Sequence, residues 1–245
     1  MTGHFDGATA AWDLAQAHPH LWAGAIMISP GADKYIKHYF ENLKAPDRAG
    51  TAIPLGTYIV YGAMDGTRFN SDVGSVATRY LSGVGYDALV VEYIGRGRER
   101  FLSELPRIME WMELSSHRRV HTPREIATIT MRPGDRFYYW LEAPQVLPSA
   151  AGNPIEFDPN GSAKFEADIL DSTINGVRIN SIPSANRDAV VWLTPDMVDF
   201  SRPISIMHGR DRNRQELKPD IGIMLEDVRT RADRMHVFWQ RVAVR

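Results

Sequence analysis

The sequence predicts an α/β domain followed by a smaller, mainly-β module, with the boundary at about residue 115. Before that point, short and almost wholly apolar runs are separated by amphipathic stretches, and the alternation occurs three times. Strands that are buried on both faces and joined by helical crossovers form a parallel sheet. After that point, short alternating segments are separated by turn signals, which is typical of a small sandwich or barrel. The predicted domains are therefore 1–115 and 116–245.

The predicted elements of the first domain follow in order along the chain. Apolar residues at spacings of three and four, most of them alanine, predict a helix over 7–17. The run 22–29 is almost wholly apolar and is closed by Pro30 and Gly31, as expected of a strand that is buried on both faces. The same two patterns predict further helices at 34–43, 72–81 and 99–114, and further strands at 57–61 and 88–93.

The elements of the second domain are predicted from alternation and from turn residues. Four aromatic residues stand together at 137–140, where they could stack on sugars, but aromatics in a sandwich strand are usually structural. Asn175 and Gly176 give a turn signal. The apolar spacing predicts strands at 163–169, 177–182, 189–194 and 203–208, and one helix at about 221–228.

Composition excludes several classes of function. The net charge of −2 gives no electrostatic footprint for nucleic acid or for an anionic membrane. No stretch reaches the roughly 18 apolar residues of a membrane-spanning helix. The sequence has no cysteine, and His117 and His121 stand four residues apart without a third ligand nearby. We therefore predict no metal and no cofactor. The absence of disulfides is compatible with several compartments, so localisation stays undetermined.

The segment Gly3-His4-Phe5-Asp6-Gly7 has the outline of a nucleophile elbow, which is a sharp turn from a strand into a helix. Glycines at both ends let the chain turn without side-chain clashes, and the middle residue is thrust out at the helix N-terminus. There the helix dipole and the next backbone N–H can stabilise an oxyanion. This outline predicts Phe5 at the nucleophile position and the Asp6 N–H as an oxyanion donor.

The elbow and its context resemble α/β-hydrolases of the prolyl-oligopeptidase and esterase-D type. In that family a Gly-x-Ser-x-Gly elbow opens a helix of small residues, as at 3–13, and a His-Pro stretch leads into the next strand, as at 18–24. The resemblance covers about residues 1–114. It implies a partial α/β-hydrolase parallel sheet, entered at the elbow, and an ancestry in ester or peptide hydrolysis through a serine acyl-enzyme. Small esters or peptides would be the substrates of full-length relatives.

The same resemblance assigns the other two catalytic positions. Residues 61–65 resemble the strand end that carries the triad acid, here Asp65, and residues 92–101 resemble the loop that carries the histidine, here replaced by Arg98. Only Asp65 keeps its expected type. Phenylalanine has no nucleophilic atom, and a guanidinium stays protonated at neutral pH, so it cannot act as a general base. We therefore expect this chain to be impaired as a serine hydrolase.

Two other assignments of the elbow chemistry are open at this point. Asp6 could be a nucleophile, as aspartate is in dehalogenase-like relatives, but it lies one residue past the apex. His4 precedes the apex and should point away from the pocket. Three arginines at 96, 98 and 100 could bind an anion, although nearby glutamates favour a solvated, salt-bridged loop.

Three functional interpretations follow: a hydrolase homologue, a non-catalytic binding or scaffold protein, and a truncated product without an independent role. In the family the resemblance names, five strands precede the elbow, whereas here the elbow begins at residue 3. A sheet of three strands would expose an unpaired edge. We therefore expect either a fragment of a longer peptidase or esterase, which we favour, or a partner that covers the edge.

Overall fold

The computed structural model describes residues 1–31, 40–44, 54–66, 83, 85–114, 119–148, 163–184 and 186–244. Within these residues the chain forms two compact units, Met1–Val120 and His121–Arg245. Each unit has its own sheets and its own hydrophobic core.

The first unit contains a parallel sheet of four strands in the order β1-β2-β3-β4. Its strands are β1 (Thr2–His4), β2 (Gly24–Ile28), β3 (Gly56–Gly62) and β4 (Ala88–Tyr93). Its described α-helices are α1 (Asp6–Ala17) and α2 (Leu105–Met112), and 3₁₀ helices cover Pro19–Leu21, Phe40–Leu43 and Leu102–Glu104. Because the strands are parallel, their carboxyl ends meet at one edge of the sheet.

The two helices of the first unit cover opposite faces of the sheet. Ala8, Trp12 and Ala15 of α1 pack with Met27 and Ile59 of the strands. Successive strand residues point to opposite faces, so neighbouring positions on β2 and β3 pack instead with the α2 side. The α2 contacts are made by Ile108 and Trp111, which meet Ile26, Ile28, Tyr58 and Val60. This two-sided burial explains why β2 and β3 are apolar along their whole length.

The second unit contains one sheet of four strands and one of five. The four-stranded order is β13-β10-β7-β6 and the five-stranded order is β12-β11-β9-β8-β5. The strands are β5 (Glu125–Thr130), β6 (Phe137–Tyr138), β7 (Leu141–Glu142), β8 (Ala163–Ile169), β9 (Gly176–Ser181), β10 (Ala189–Leu193), β11 (Ile204–His208), β12 (Asp211–Gln215) and β13 (Gln240–Val244). Neighbouring strands are antiparallel except β9 and β11, which are parallel.

One hydrophobic core joins the two sheets of the second unit. Tyr138 and Trp140, from the aromatic segment, are fully buried in it together with Phe165 and Phe238. The aromatic segment is therefore structural in this unit, and the Trp140 indole N–H donates to the Pro123 carbonyl at 2.9 Å.

A third helix, α3 (Ile221–Arg231), completes the second unit and is tied down by its own charged residues. Asp220 caps it, accepting hydrogen bonds from the Gly222 N–H at 2.7 Å and the Ile223 N–H at 3.2 Å. The buried Asp227 carboxylate pairs with Arg231 and accepts from the Phe238 N–H at 2.9 Å. These bonds fix the path of the chain from α3 towards β13.

The fold class predicted from the sequence, α/β with a partial hydrolase sheet, is wrong for the chain. The described residues are mostly β, with 35% in strands and 21% in helices. Three α-helices are described, and only two of them belong to the first unit. The prediction relied on the parallel sheet of the first unit. Most strands lie in the second unit, and some of them, such as β12, have no apolar residue from which a strand could be predicted.

The predicted helices also changed in detail. The helix predicted at 72–81 and residues 34–39 of another lie outside the described residues, while residues 40–43 are a 3₁₀ helix. The helix predicted over 99–114 is shorter, because Phe101 adopts a positive φ of 45° and Pro106 fits only the first turn of α2. In the described part of the chain, no helix is long and apolar enough to cross a membrane.

Candidate functional site

The turn from β1 into α1 is built on an unusual backbone at Phe5. Its φ of 54° and ψ of −120° lie outside the regions that residues with a side chain favour. The Phe5 N–H still donates to the Ile28 carbonyl of β2 at 2.9 Å, as if β1 continued. The Phe5 carbonyl already accepts from Ala8 at 2.9 Å and from Thr9 at 3.1 Å, as in a helix. Phe5 is therefore the residue at which strand changes into helix.

Gly3 makes this turn sterically feasible. A Cβ atom at Gly3 would lie 2.1 Å from the Gly7 carbonyl oxygen, which no side chain can tolerate. The same atom at Gly7 would meet nothing within 4 Å. The sequence argument from two flanking glycines therefore has a steric basis at Gly3 and none at Gly7.

The structure brings the predicted nucleophile and histidine positions into contact. The Cζ atom of Arg98 lies 4.5 Å from the centroid of the Phe5 ring, which is a cation–π distance. The same guanidinium donates to Oδ1 of Asp6 at 3.2 Å. The His4 ring centroid lies 3.7 Å from that of Phe5, and the tautomer with its proton on Nε2 donates to the Glu99 carbonyl at 3.2 Å. An aromatic ring thus occupies the predicted nucleophile position.

The predicted acid position lies at the same edge of the sheet. Asp65 is buried, with 4% of its surface exposed, in the turn that follows β3. This turn is joined to the loop after β4, since the Met64 N–H donates to the Arg96 carbonyl at 2.8 Å. Gly62 permits that approach, because a Cβ atom there would lie 2.2 Å from the Gly97 carbonyl oxygen.

The loop after β4 carries charges that largely pair with one another. Arg96 and Glu99 form a two-pronged ion pair on the surface, with Nε and Oε1 2.8 Å apart. The hydrogen bond to Glu99 raises the pKa of Arg96, and the same bond lowers the pKa of Glu99. Arg98 pairs with Asp6, whose carboxylate is fully exposed. The loop is thus a salt-bridged surface, in line with the solvated interpretation of these arginines.

The side chains of Phe5 and Arg98 lack the groups that the serine mechanism requires of a nucleophile and a base. The Phe5 side chain has no atom that can attack a carbonyl, and the Arg98 guanidinium has no lone pair with which to accept a proton. The N–H of Asp6 stands in the first turn of α1, where backbone donors lack intrahelical acceptors. The predicted oxyanion donor is therefore a backbone N–H at the beginning of a helix.

Sequence reasoning missed two buried groups beside the site. Ser29 directly follows β2 with a positive φ of 50°, and its hydroxyl donates to the Glu99 carbonyl at 3.2 Å. Glu104 is fully buried and accepts from the Tyr58 hydroxyl at 2.5 Å and from the Tyr93 hydroxyl. Ser29 could have been found from its position at a strand end before Pro30. Glu104 carries no local signal, because its partners lie on other elements.

Two cavities lie among the described residues of the second unit. One, of about 340 Å³, is lined by the segments 169–175 and 195–202 together with Arg124. The other, of about 280 Å³, lies between Trp192, Arg241 and the beginning of α3. Among the described residues, no group of three or more histidine, aspartate or glutamate side chains is placed to hold a metal ion.

Comparison with known proteins adds no assignment to this geometry. No protein-family model matches the chain, and no curated protein matches it.

Proposed function

We propose that this chain descends from a serine hydrolase of the prolyl-oligopeptidase and esterase-D type and that its elbow no longer hydrolyses esters or peptides. The observation that carries the proposal is the strand-to-helix turn at Phe5, in which a side chain without a nucleophilic atom occupies a strained apex beneath Arg98. The ancestry and the loss of activity are separate parts of the proposal and have separate support.

The strain at Phe5 supports the ancestry. A residue with a side chain in a sparsely populated backbone region costs about 1–3 kcal/mol, and such residues cluster at functional sites. Phe5 gains no chemistry from that conformation, yet the turn is retained together with the steric requirement at Gly3. An inherited elbow, in which the apex once carried a serine, accounts for both features.

The contacts of Arg98 support the loss of activity. In a triad the base must hydrogen-bond to the nucleophile and be oriented by the acid. Arg98 instead lies over the Phe5 ring and pairs with Asp6. Asp6 is a poor replacement nucleophile, because the adjacent guanidinium stabilises its charge and its side chain is fully exposed to water.

The first experiment measures hydrolysis of para-nitrophenyl acetate and labelling by a fluorophosphonate probe. We expect no turnover above that of a Phe5→Ala variant and no covalent labelling. Turnover that is lost in Asp6→Asn, or in Asp65→Asn, would show that another residue at the elbow is catalytic and would refute the loss of activity.

The second experiment tests the ancestry through the double variant Phe5→Ser, Arg98→His. If the elbow geometry is inherited, the introduced hydroxyl should react with the fluorophosphonate faster than it does in Phe5→Ser alone, because an imidazole next to it can accept its proton. Equal reactivity in the two folded variants would count against a retained catalytic geometry.

A second candidate function is non-catalytic binding at the same edge of the sheet. Met64 and Ile94 follow β3 and β4 there and expose 72% and 88% of their surfaces. The Met64 N–H donates to the Arg96 carbonyl, so these two side chains stand on adjoining turns, and contiguous apolar patches with a polar rim are typical of binding surfaces. A short acylated peptide should then bind without being cleaved, and Met64→Asp should weaken its binding in titration calorimetry. Unchanged affinity in that variant would exclude this edge as the binding surface.

A further inference from the structure

The strand β12 is an edge strand with an unusual composition. It forms a hairpin with β11 through the two residues Gly209 and Arg210, and it follows the order Asp211, Arg212, Asn213, Arg214, Gln215. In the described part of the chain β11 is its one strand neighbour. Four of its five residues are exposed. Its outer side therefore presents backbone groups that a further strand could pair with.

The register of the hairpin decides which residues offer those groups. His208 and Asp211 flank a two-residue loop and form a hydrogen-bonded pair, as do Ile206 and Asn213 two residues further along. The residues that alternate with Asp211 and Asn213, which are Arg212 and Arg214, must then direct their backbone N–H and C=O groups away from β11. Both arginines consequently lie along the free edge.

The side chains of these arginines share one face of the sheet. Residues two apart on a strand point the same way and are separated by about 6.7 Å. Arg212 is paired across β11 with Met207, which is paired in turn with Arg178 of β9, so Arg178 lies on the same face about 10 Å away. All three arginines are exposed.

The β12 side of this face is positively charged, whereas Asp168 of β8 and Glu125 of β5 continue the same cross-strand row on its far side. Within the described residues, none of the three guanidiniums takes part in an ion pair. The nearest carboxylate in register is Asp168, opposite Arg178, and it accepts a hydrogen bond from Asn180 at 2.8 Å. Asp211 alternates with Arg212 and so points to the other face of the sheet.

We propose that the free edge of β12 accepts an extended acidic segment of a partner protein as an additional strand. Carboxylates at alternate positions of such a segment have the same spacing of about 6.7 Å as Arg212 and Arg214, so each can face one guanidinium. The main-chain hydrogen bonds of the added strand supply affinity, and the alternating charges supply specificity.

A purely protective role for these arginines makes a different prediction. Charged side chains on an edge strand often prevent pairing with other chains. In that case no strand-forming peptide of either charge should bind. A polysaccharide or a nucleic acid would contact the guanidiniums and not the backbone of β12. Its binding would therefore not require the main-chain hydrogen bonds that an added strand makes.

The experiment uses the full chain and a peptide of about eight residues that alternates threonine and glutamate. We expect saturable binding in titration calorimetry. The double variant Arg212→Gln, Arg214→Gln should weaken it at least about tenfold, which corresponds to about 1.4 kcal/mol. The matched control, Arg229→Gln with Arg234→Gln, removes two exposed arginines elsewhere in the unit and should bind as the parent does.

Four results would overturn the proposal. The first is the absence of binding by the alternating peptide. The second is undiminished binding of the same peptide after N-methylation of alternate backbone amides, which blocks strand pairing. The third is tighter binding of heparin or of an oligonucleotide than of the peptide. A charge-reversal variant shows that weaker binding is not caused by misfolding. Arg212→Glu with Arg214→Glu should gain affinity for an alternating threonine–lysine peptide, which a misfolded protein would not do. Failure to gain that affinity also counts against the proposal.

Discussion

Replacing Glu104 by alanine tests whether a buried carboxylate holds the first unit together. Glu104 joins α2 to the sheet, because it accepts hydrogen bonds from Tyr58 of β3 and from Tyr93 of β4. The alanine variant leaves both hydroxyls without their acceptor. A buried polar group without a partner costs about 1–3 kcal/mol, and the space left by the side chain adds to this.

The two tyrosines do not contribute equally to the expected loss. Tyr58 is 1% exposed, so its hydroxyl cannot turn to water, whereas Tyr93 is only partly buried. Arg107, 3.8 Å from the carboxylate, is mostly exposed and loses little. We therefore expect Glu104→Ala to lower the free energy of unfolding by about 3–5 kcal/mol, a large fraction of the 5–15 kcal/mol that is typical of a domain.

The assay combines urea unfolding, followed by tryptophan fluorescence, with hydrogen exchange read by mass spectrometry. Exchange localises the effect, because loss of protection should appear in β3 and β4 and not in the second unit. Glu104→Gln keeps the volume and should cost about 1–2 kcal/mol, since one hydroxyl then faces an NH₂ group. Glu110→Ala, on the exposed side of α2, should stay within about 0.5 kcal/mol of the parent.

A loss below about 1 kcal/mol in Glu104→Ala would refute this reasoning, because it would mean that the two hydroxyls find other acceptors. The same conclusion would follow if protection fell equally in both units. Since Tyr93 immediately precedes the loop that carries Arg98, retained protection of that loop in the alanine variant would also contradict a supporting role for Glu104.

Three further predictions concern other residues. Asn175→Ala should lower the free energy of unfolding by about 2–4 kcal/mol in urea, because Asn175 has a φ of 53° and its amide bonds to the backbone of the 199–203 loop. Its Oδ1 accepts from the Asp199 N–H at 2.7 Å, and its Nδ2 donates to the Asp199 carbonyl at 2.9 Å. A loss under about 1 kcal/mol would contradict the prediction. Gly62→Ala should lower the melting temperature by several degrees, since its Cβ meets backbone at 2.2 Å, while Gly66→Ala, with nothing within 4 Å, should leave it unchanged. Burial and the hydrogen bond to Glu104 raise the pKa of Tyr58 above its ordinary 10.0. The contribution of Tyr58 to the free energy of unfolding is therefore complete below pH 10.0 and falls as the pH rises through the folded-state pKa. Tyr58→Phe should flatten that decline in alkaline urea titrations, and an unchanged slope would refute the prediction.

Residue patterns located the apolar elements well. The strand predicted at 88–93 is β4, that at 163–169 is β8, and the helix predicted from residue 221 begins there as α3. Such segments can be predicted from the sequence, because burial on one or two faces requires a regular apolar spacing. The strand-to-helix turn at Phe5 was also predicted, since Gly3 is a local steric requirement of that turn.

Charged strands were not predicted from the sequence. β12 contains no apolar residue, and β13 mixes charged and apolar positions. The first is a strand because the tight turn at Gly209 folds it back onto β11, and the second because β10 offers it a partner. These causes are tertiary, so no periodicity within the segments reveals them.

The contacts of Arg98 with Phe5 and Asp6 could not be predicted from the sequence either. The order of the chain indicated that Phe5 and Arg98 occupy related positions, but not that the guanidinium lies over the ring and binds Asp6. Those details depend on side-chain directions in two loops that are 92 residues apart.

The strained backbone at Phe5 has a consequence for how this position would evolve. Serine, phenylalanine and most other residues carry the same conformational penalty there, whereas glycine carries almost none. In a library randomised at this codon and selected for resistance to proteolysis alone, glycine should therefore be enriched. If phenylalanine instead persists under that selection, the stabilisation from its ring contact with Arg98 exceeds the conformational penalty of its backbone. The Phe5 side chain would then stabilise the turn.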